Sequence, residues 1–266
     1  MSAEQALPAS HDKASVPWKD KFRASGIHLS LSLAVALLAA LLVFGLWYPY
    51  PYREISGGRE LFLIVVSVDV VLGPLITFVI FNRRKPMKEL KRDLALVVLI
   101  QLAALGYGLW TVFISRPVHL VFEVDRFRAV HAVDIDADLL KKTPAGIEAM
   151  PLFGPTLLAV RPFKNANESF DATMAALGGV DLSARPDLWK PYAGARTEVI
   201  AASKPAAQLK TRFAPHAAEI DEVLRAAGRK AETTAYLPMV GRKSFWTVFI
   251  DPTTAEVVGF IPLDSF

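Results

Sequence analysis

Cysteine is absent from the 266 residues. Disulfide scaffolds, thiolate metal sites, iron–sulfur clusters and cysteine nucleophiles are excluded together. Histidine is scarce: there are five, at positions 11, 28, 119, 131 and 216, with no H-x-x-x-H spacing. His119 and His131 are placed to meet across a hairpin, yet two ligands make no metal site. P-loop, G-x-G-x-x-G and G-x-S-x-G motifs are missing. Asp134, Asp136 and Asp138 form a D-x-D-x-D run, but a calcium loop needs Gly sixth and Glu twelfth, where Leu139 and Ala145 stand. Intramembrane aspartyl proteolysis needs two membrane aspartates, and only Asp69 is available. The expectation is a protein with no enzymatic activity, no cofactor and no metal.

A strong basic excess is also lacking. Lys and Arg total 30 against 26 Asp and Glu, a net charge of +4. Residues 83–93 (RRKPMKELKRD) alone carry net +4, while 116–266 hold eighteen charges of each sign. Nucleic-acid binding requires a basic face on the folded domain, and the balanced C-terminal part offers none. No nucleic-acid partner is expected.

What the chain has is apolar length. Hydrophobic residues make up 53%, and the mean hydropathy is +0.33. Three nearly charge-free runs, 27–48, 61–81 and 94–115, are each long enough for a bilayer, which takes roughly 20 residues. Lys19, Lys21 and Arg23 precede the first run, and six basic residues crowd the second loop. The positive-inside rule then puts residues 1–24 and the second loop in the cytoplasm, and everything after 115 on the far side. Trp47, Tyr48, Tyr50, Tyr52, Trp110 and Phe113 gather at the outer ends, as an aromatic belt does. The bulky WYPYPYR after the first run offers no cleavage site, so that run reads as a retained anchor and residues 1–17 as a flexible tail. The domains are thus a tail (1–24), a three-span bundle (25–115) and an outer domain (116–266) whose floor touches the membrane.

The outer domain reads as α+β with an antiparallel sheet. PVHLVFEVDRF and TLLAVRPF are strands by alternation and composition. NESFDATMAALGG is a helix with Asn167 as N-cap; SKPAAQLKTRF is one with Ser203 as N-cap; PHAAEIDEVLRAAG ends at Gly228. TAYLPMV, SFWTVFI and AEVVGFIPL close the chain as a three-stranded meander.

One residue is costly where it stands. A carboxylate at membrane depth costs several kcal/mol unless protonated or paired, which makes Asp69 a candidate functional site. Tyr107, at the same depth on the third span, is the expected hydrogen-bond partner. Gly73 and Pro74 follow Asp69. Pro74 lacks an N–H and orphans the Val70 carbonyl, to which Gln101 is placed to donate. This cluster is read either as a clamp that orders the bundle or as a contact for a partner. Small residues on spans one and three (Ala34, Ala36, Ala39, Ala40; Ala103, Ala104, Gly106, Gly108) permit close helix approach.

FRASGIHLSLSL, WYPYPYREISGGRELF, VSVDVVLGPLITFVIFN, MKELKRDLALVVLIQLAALGYG and RPVHLVFEVDRFRAV, in this order, resemble the TfpX/TfpZ family of type IV pilin accessory proteins. YLPMVGRKSFWTVFIDPTTAEVVGFIPL looks like that family's tail. The resemblance is strong over about residues 21–130 and looser beyond. It implies a multi-pass inner-membrane protein of a Gram-negative bacterium, chaperone-like, that stabilises a cognate type IV major pilin or promotes its assembly. The pilin's transmembrane helix and globular head are the implied partners, beside membrane lipid. It implies no catalysis and no cofactor. The competing expectations are a membrane-anchored periplasmic sensor or other assembly factor, and a transport subunit using Asp69.

Overall fold

The computed structural model describes residues 18–83 and 85–266; the expected tail at 1–17 lies outside them. The apolar runs form helices α1 (Trp18–Leu42, continued by a π turn Val43–Trp47), α3 (Gly58–Ser67), α4 (Gly73–Ile80) and α5 (Met87–Ile114). A π segment, Val68–Leu72, joins α3 to α4, so Gly58–Ile80 is one span. Among the described residues, three helices are thus long and apolar enough to cross a membrane. α5 begins well before the apolar boundary, directly after Pro86, and the pyrrolidine suits a helix start but not an interior.

Between spans one and two, a short helix α2 (Tyr52–Ile55) leads to Gly57, whose φ of +70° opens the turn before α3. Gly58 then lies flat against the Tyr48 ring, where a Cβ would overlap it. The Tyr48 hydroxyl donates to the Val112 carbonyl at 3.1 Å. Gly57 is thus required by the turn and Gly58 by packing.

The outer domain holds strands β1 (Pro117–Glu123), β2 (Arg126–His131), β3 (Thr156–Val160), β4 (Trp189–Pro191), β5 (Lys204–Pro205), β6 (Ala235–Val240), β7 (Phe245–Ile250) and β8 (Val257–Ile261). Its helices are α6 (Ala166–Leu177), α7 (Arg196–Ala202), α8 (Ala206–Arg212) and α9 (Ala217–Ala226). The sheet order is β4-β3-β1-β2-β6-β7-β8, with β5 beside β6. The meander β6–β7–β8 is antiparallel as expected, but β1 pairs with β3, and β2 with β6, in parallel. The sheet is therefore mixed, not purely antiparallel. PVHLVFEVDRF is a hairpin, β1–β2, rather than one strand.

Two helix starts differ from expectation. Asn165, not Asn167, caps α6, its side chain accepting from Glu168 N at 2.9 Å. α8 starts after Pro205, because Lys204–Pro205 is drawn into the sheet as β5.

Period-two alternation buries both sheet faces. Leu237, Met239, Trp246, Val248 and Ile250 enter one core, and Tyr236 and Phe249 enter another, closed by Leu209, Ile220 and Leu224 from α8 and α9. The first core also contains Tyr52 and Ile55 of the loop between spans one and two. Ile55 is fully buried, and its carbonyl accepts from Lys243 N. That loop is a structural part of the domain.

The chain divides into two compact units. One gathers the described residues up to Leu37 with Val65–Gly106; the other gathers Leu38–Ile64 with Tyr107–Phe266. The domain at 116–266 thus forms one unit with the loop and with the adjoining turns of the three spans.

Candidate functional site in the helical bundle

The site lies wholly within the first unit. Val68–Leu72 is wound as a π segment, in which carbonyl i pairs with N–H i+5 instead of i+4. That shift changes which carbonyl Pro74 leaves orphaned. In an α-helix it would be Val70; in π winding it is Asp69. Gln101 Nε2 accordingly donates to Asp69 O at 3.2 Å, one residue from the expected acceptor. Gly73 makes this reach possible, since a Cβ there would overlap the Gln101 amide. Ser25 on α1 donates to the Pro74 carbonyl at 2.8 Å, and His28 Nδ1 lies 2.5 Å from the Thr77 hydroxyl.

Gly73, Pro74, Gln101 and the Asp69 backbone are therefore brought together, and α1 joins them through Ser25 and His28. This clamp consumes the main chain of Asp69, not its carboxylate. Oδ1 is buried and has no hydrogen-bond partner among the described residues. The side chain lines a cavity of about 140 Å³, together with His28, Ser32, Ala36, Gln101 and apolar residues such as Val66 and Leu102. The cavity offers one hydrogen-bonding carboxyl and an imidazole in apolar walls.

Tyr107 does not belong to the site: it is absent from the cavity lining and its side chain is 75% exposed. Depth along the span was matched, but direction was not. Val98, Gln101, Leu102 and Leu105 face the cavity at helical spacing, and Tyr107, six residues past Gln101, is turned away from that stripe by about 120° at roughly 100° per residue. His28, Ser25 and Thr77 were missed. An imidazole inside an apolar run was the available signal for His28, by the same rule that singled out Asp69.

Among the described residues, no group of three or more His, Asp or Glu side chains is placed to hold a metal ion. The aspartates of the D-x-D-x-D run serve the fold: Asp134 accepts from His131 and Arg242, and Asp136 caps Asp138 N. Burial pushes the Asp134 carboxyl up, but the His131 hydrogen bond and charge and the Arg242 charge together hold it below the usual range. His119 is directed to Thr156 and the Ala149 carbonyl, and burial pushes its imidazole down to about 4. The two histidines thus face different partners. A polar cavity of about 450 Å³ beside His131 is lined by Arg128, Asp134, Asp181 and Arg242, whose charges pair locally.

Comparison with known proteins places this chain in a family. The family model described as fimbrial assembly protein FimB matches residues 16–57, the first span and the loop that enters the outer core. A fimbrial assembly protein of serogroup I from Dichelobacter nodosus is 37% identical over 244 residues, covering 91% of this chain and 95% of that protein. The chain belongs to the FimB family of fimbrial assembly proteins. The serogroup E1 protein of the same organism is 37% identical over the same extent, and that of serogroups C1 and C2 is 46% identical over 116 residues, 44% of this chain and 88% of that protein. No solved structure matches. Within this FimB-family chain, the matched segment supplies Ser25 and His28 to the clamp and Tyr52 and Ile55 to the core.

Proposed function

We propose that this protein is an inner-membrane accessory factor that assists pilus assembly by holding a cognate type IV major pilin, as the TfpX/TfpZ resemblance implies. The observation that carries the reading is the relationship to fimbrial assembly proteins, 37% identity across 91% of the chain. The N-terminus lies in the cytoplasm and the sheet domain in the periplasm, a reading supported by the basic residues at 19–23 and 83–92. The factor works by binding, without catalysis and without a cofactor. Its bundle receives the pilin's transmembrane helix beside Asp69, the one intramembrane carboxyl that the clamp leaves unpaired. Its outer domain meets the pilin head by shape and apolar contact, since its charges balance.

Deleting the gene and following pilin by immunoblot and pili by electron microscopy tests this. The expected result is loss of surface pili, restored by the gene in trans. Unchanged pilin level and unchanged piliation would overturn the reading.

A further inference from the structure

Residues 150–154 (MPLFG) form a short loop between β2 and β3, fixed at both ends. At one end, Arg116 donates through Nε and Nη2 to the Pro151 carbonyl, at 3.3 and 3.1 Å. Arg116 is itself buried, stacks over the Phe113 ring at 3.9 Å and donates to the Phe113 carbonyl. At the other end, Gly154 N donates to the Leu46 carbonyl at 2.9 Å. Phe113 is in the last turn of the third span, and Leu46 is in the last turn of the first. Between these anchors, Leu152 and Phe153 point outward, 53% and 65% exposed.

Scattered surface hydrophobics are normal on any protein. These two differ in being adjacent and in being tied to the ends of two membrane helices, by a main-chain hydrogen bond to Leu46 on one side and by the Arg116 guanidinium, itself bonded to the Phe113 carbonyl, on the other. Their height is therefore fixed at the level where the spans leave the hydrocarbon. Trp110 and Tyr50, both more than half exposed, mark the same border, where aromatic side chains favour the headgroup region. An apolar pair held at that level meets lipid rather than water.

We propose that Leu152 and Phe153 form a wedge that inserts into the leaflet on the side of the sheet domain, adding a lipid contact to the three spans. The occupant of this surface is acyl chain and headgroup boundary. The wedge rests on α1 and α5 crossing a bilayer, and it is independent of which protein is the partner.

The absence of cysteine makes the test direct. Phe153→Cys and Leu152→Cys are each labelled with an environment-sensitive fluorophore in the full chain. Leu177→Cys on α6, at a position 78% exposed, is the control. The proteins are reconstituted into phosphatidylethanolamine–phosphatidylglycerol vesicles, with or without lipid carrying a nitroxide high on the acyl chain. The expected result is a blue-shifted emission at 153 and 152, several-fold stronger nitroxide quenching than at 177, and several-fold weaker quenching by aqueous iodide. Equal iodide quenching at all three positions, with no nitroxide effect at 152 or 153, would overturn the wedge. Protease protection of the spans in the same vesicles verifies insertion, so a failed wedge is distinguished from a failed membrane reading.

Discussion

Replacing Ile55 with Ala should destabilise the outer domain, although Ile55 lies between two membrane spans. Its side chain is fully buried in the core formed by Phe127, Leu237, Met239 and Trp246. Removing such a side chain from a packed core costs about 2–5 kcal/mol, the transfer loss plus the cavity left behind. For a domain of this size each kcal/mol lowers the melting temperature by about 2–4 °C, so the shift is roughly 4–20 °C. Trp189 and Trp246 are buried in the domain and report its unfolding by fluorescence in detergent. Residues 116–266 produced alone should suffer more, because Tyr52 is lost with Ile55. Burial of each is worth about 1.5–3 kcal/mol, and the two together are a large share of the roughly 5–15 kcal/mol that holds a domain. If Ile55→Ala and the truncated domain both melt with the full-length protein, the loop is a mere linker and the two-unit description is wrong.

Asp69→Leu should insert and fold at least as well as the wild type, because it removes a costly carboxyl that the clamp does not use; protein level by immunoblot should hold while piliation falls, and intact piliation would make the residue dispensable. Gln101→Leu should loosen the bundle only slightly, by about 0.6 kcal/mol for one interhelical hydrogen bond, read as a small loss of heat resistance in detergent. Glu168 is held down to about 2 by the paired hydrogen bonds from Arg161 and by Lys164 N. Since its folded value lies below the unfolded one, its contribution is complete above about pH 4.5 and is lost as the pH falls toward 2. Pepsin should therefore cut the α6 region of the wild type faster as the pH drops through that window, while Glu168→Gln should be cut readily throughout; identical profiles would refute the assignment. A periplasm-dependent reporter fused after Phe266 should be active, and one inserted in the 83–93 loop should not.

The three spans and the closing meander were legible because their signals are local: apolar length in one case, alternation between turns in the other. The α6 cap was legible too, since Asn165 and Glu168 stand in the N-x-x-E spacing of a capping box, although Asn167 drew the assignment. What could not be read was set by contacts distant in sequence. The parallel pairings of β1 with β3 and of β2 with β6 depend on the path of the intervening chain. Nothing in YPYPYREISG announces that Tyr52 and Ile55 close a core built mainly from residues more than sixty positions away. At the site, Asp69, Gly73, Pro74 and Gln101 were legible because each breaks a rule for a lipid-facing helix. The π turn moved the orphaned carbonyl by one residue, and helical direction, which depth arithmetic ignores, removed Tyr107.

The central proposal is that the bundle face beside Asp69 receives a pilin helix, and photocrosslinking in intact cells tests it most directly. A photoreactive residue at Leu102, which lines the cavity and is 57% exposed, should give a single adduct that reacts with antibody to the cognate pilin and weakens in the Asp69→Leu background. Absence of any pilin adduct from position 102, in cells that carry pilin and the intact protein, would contradict the account.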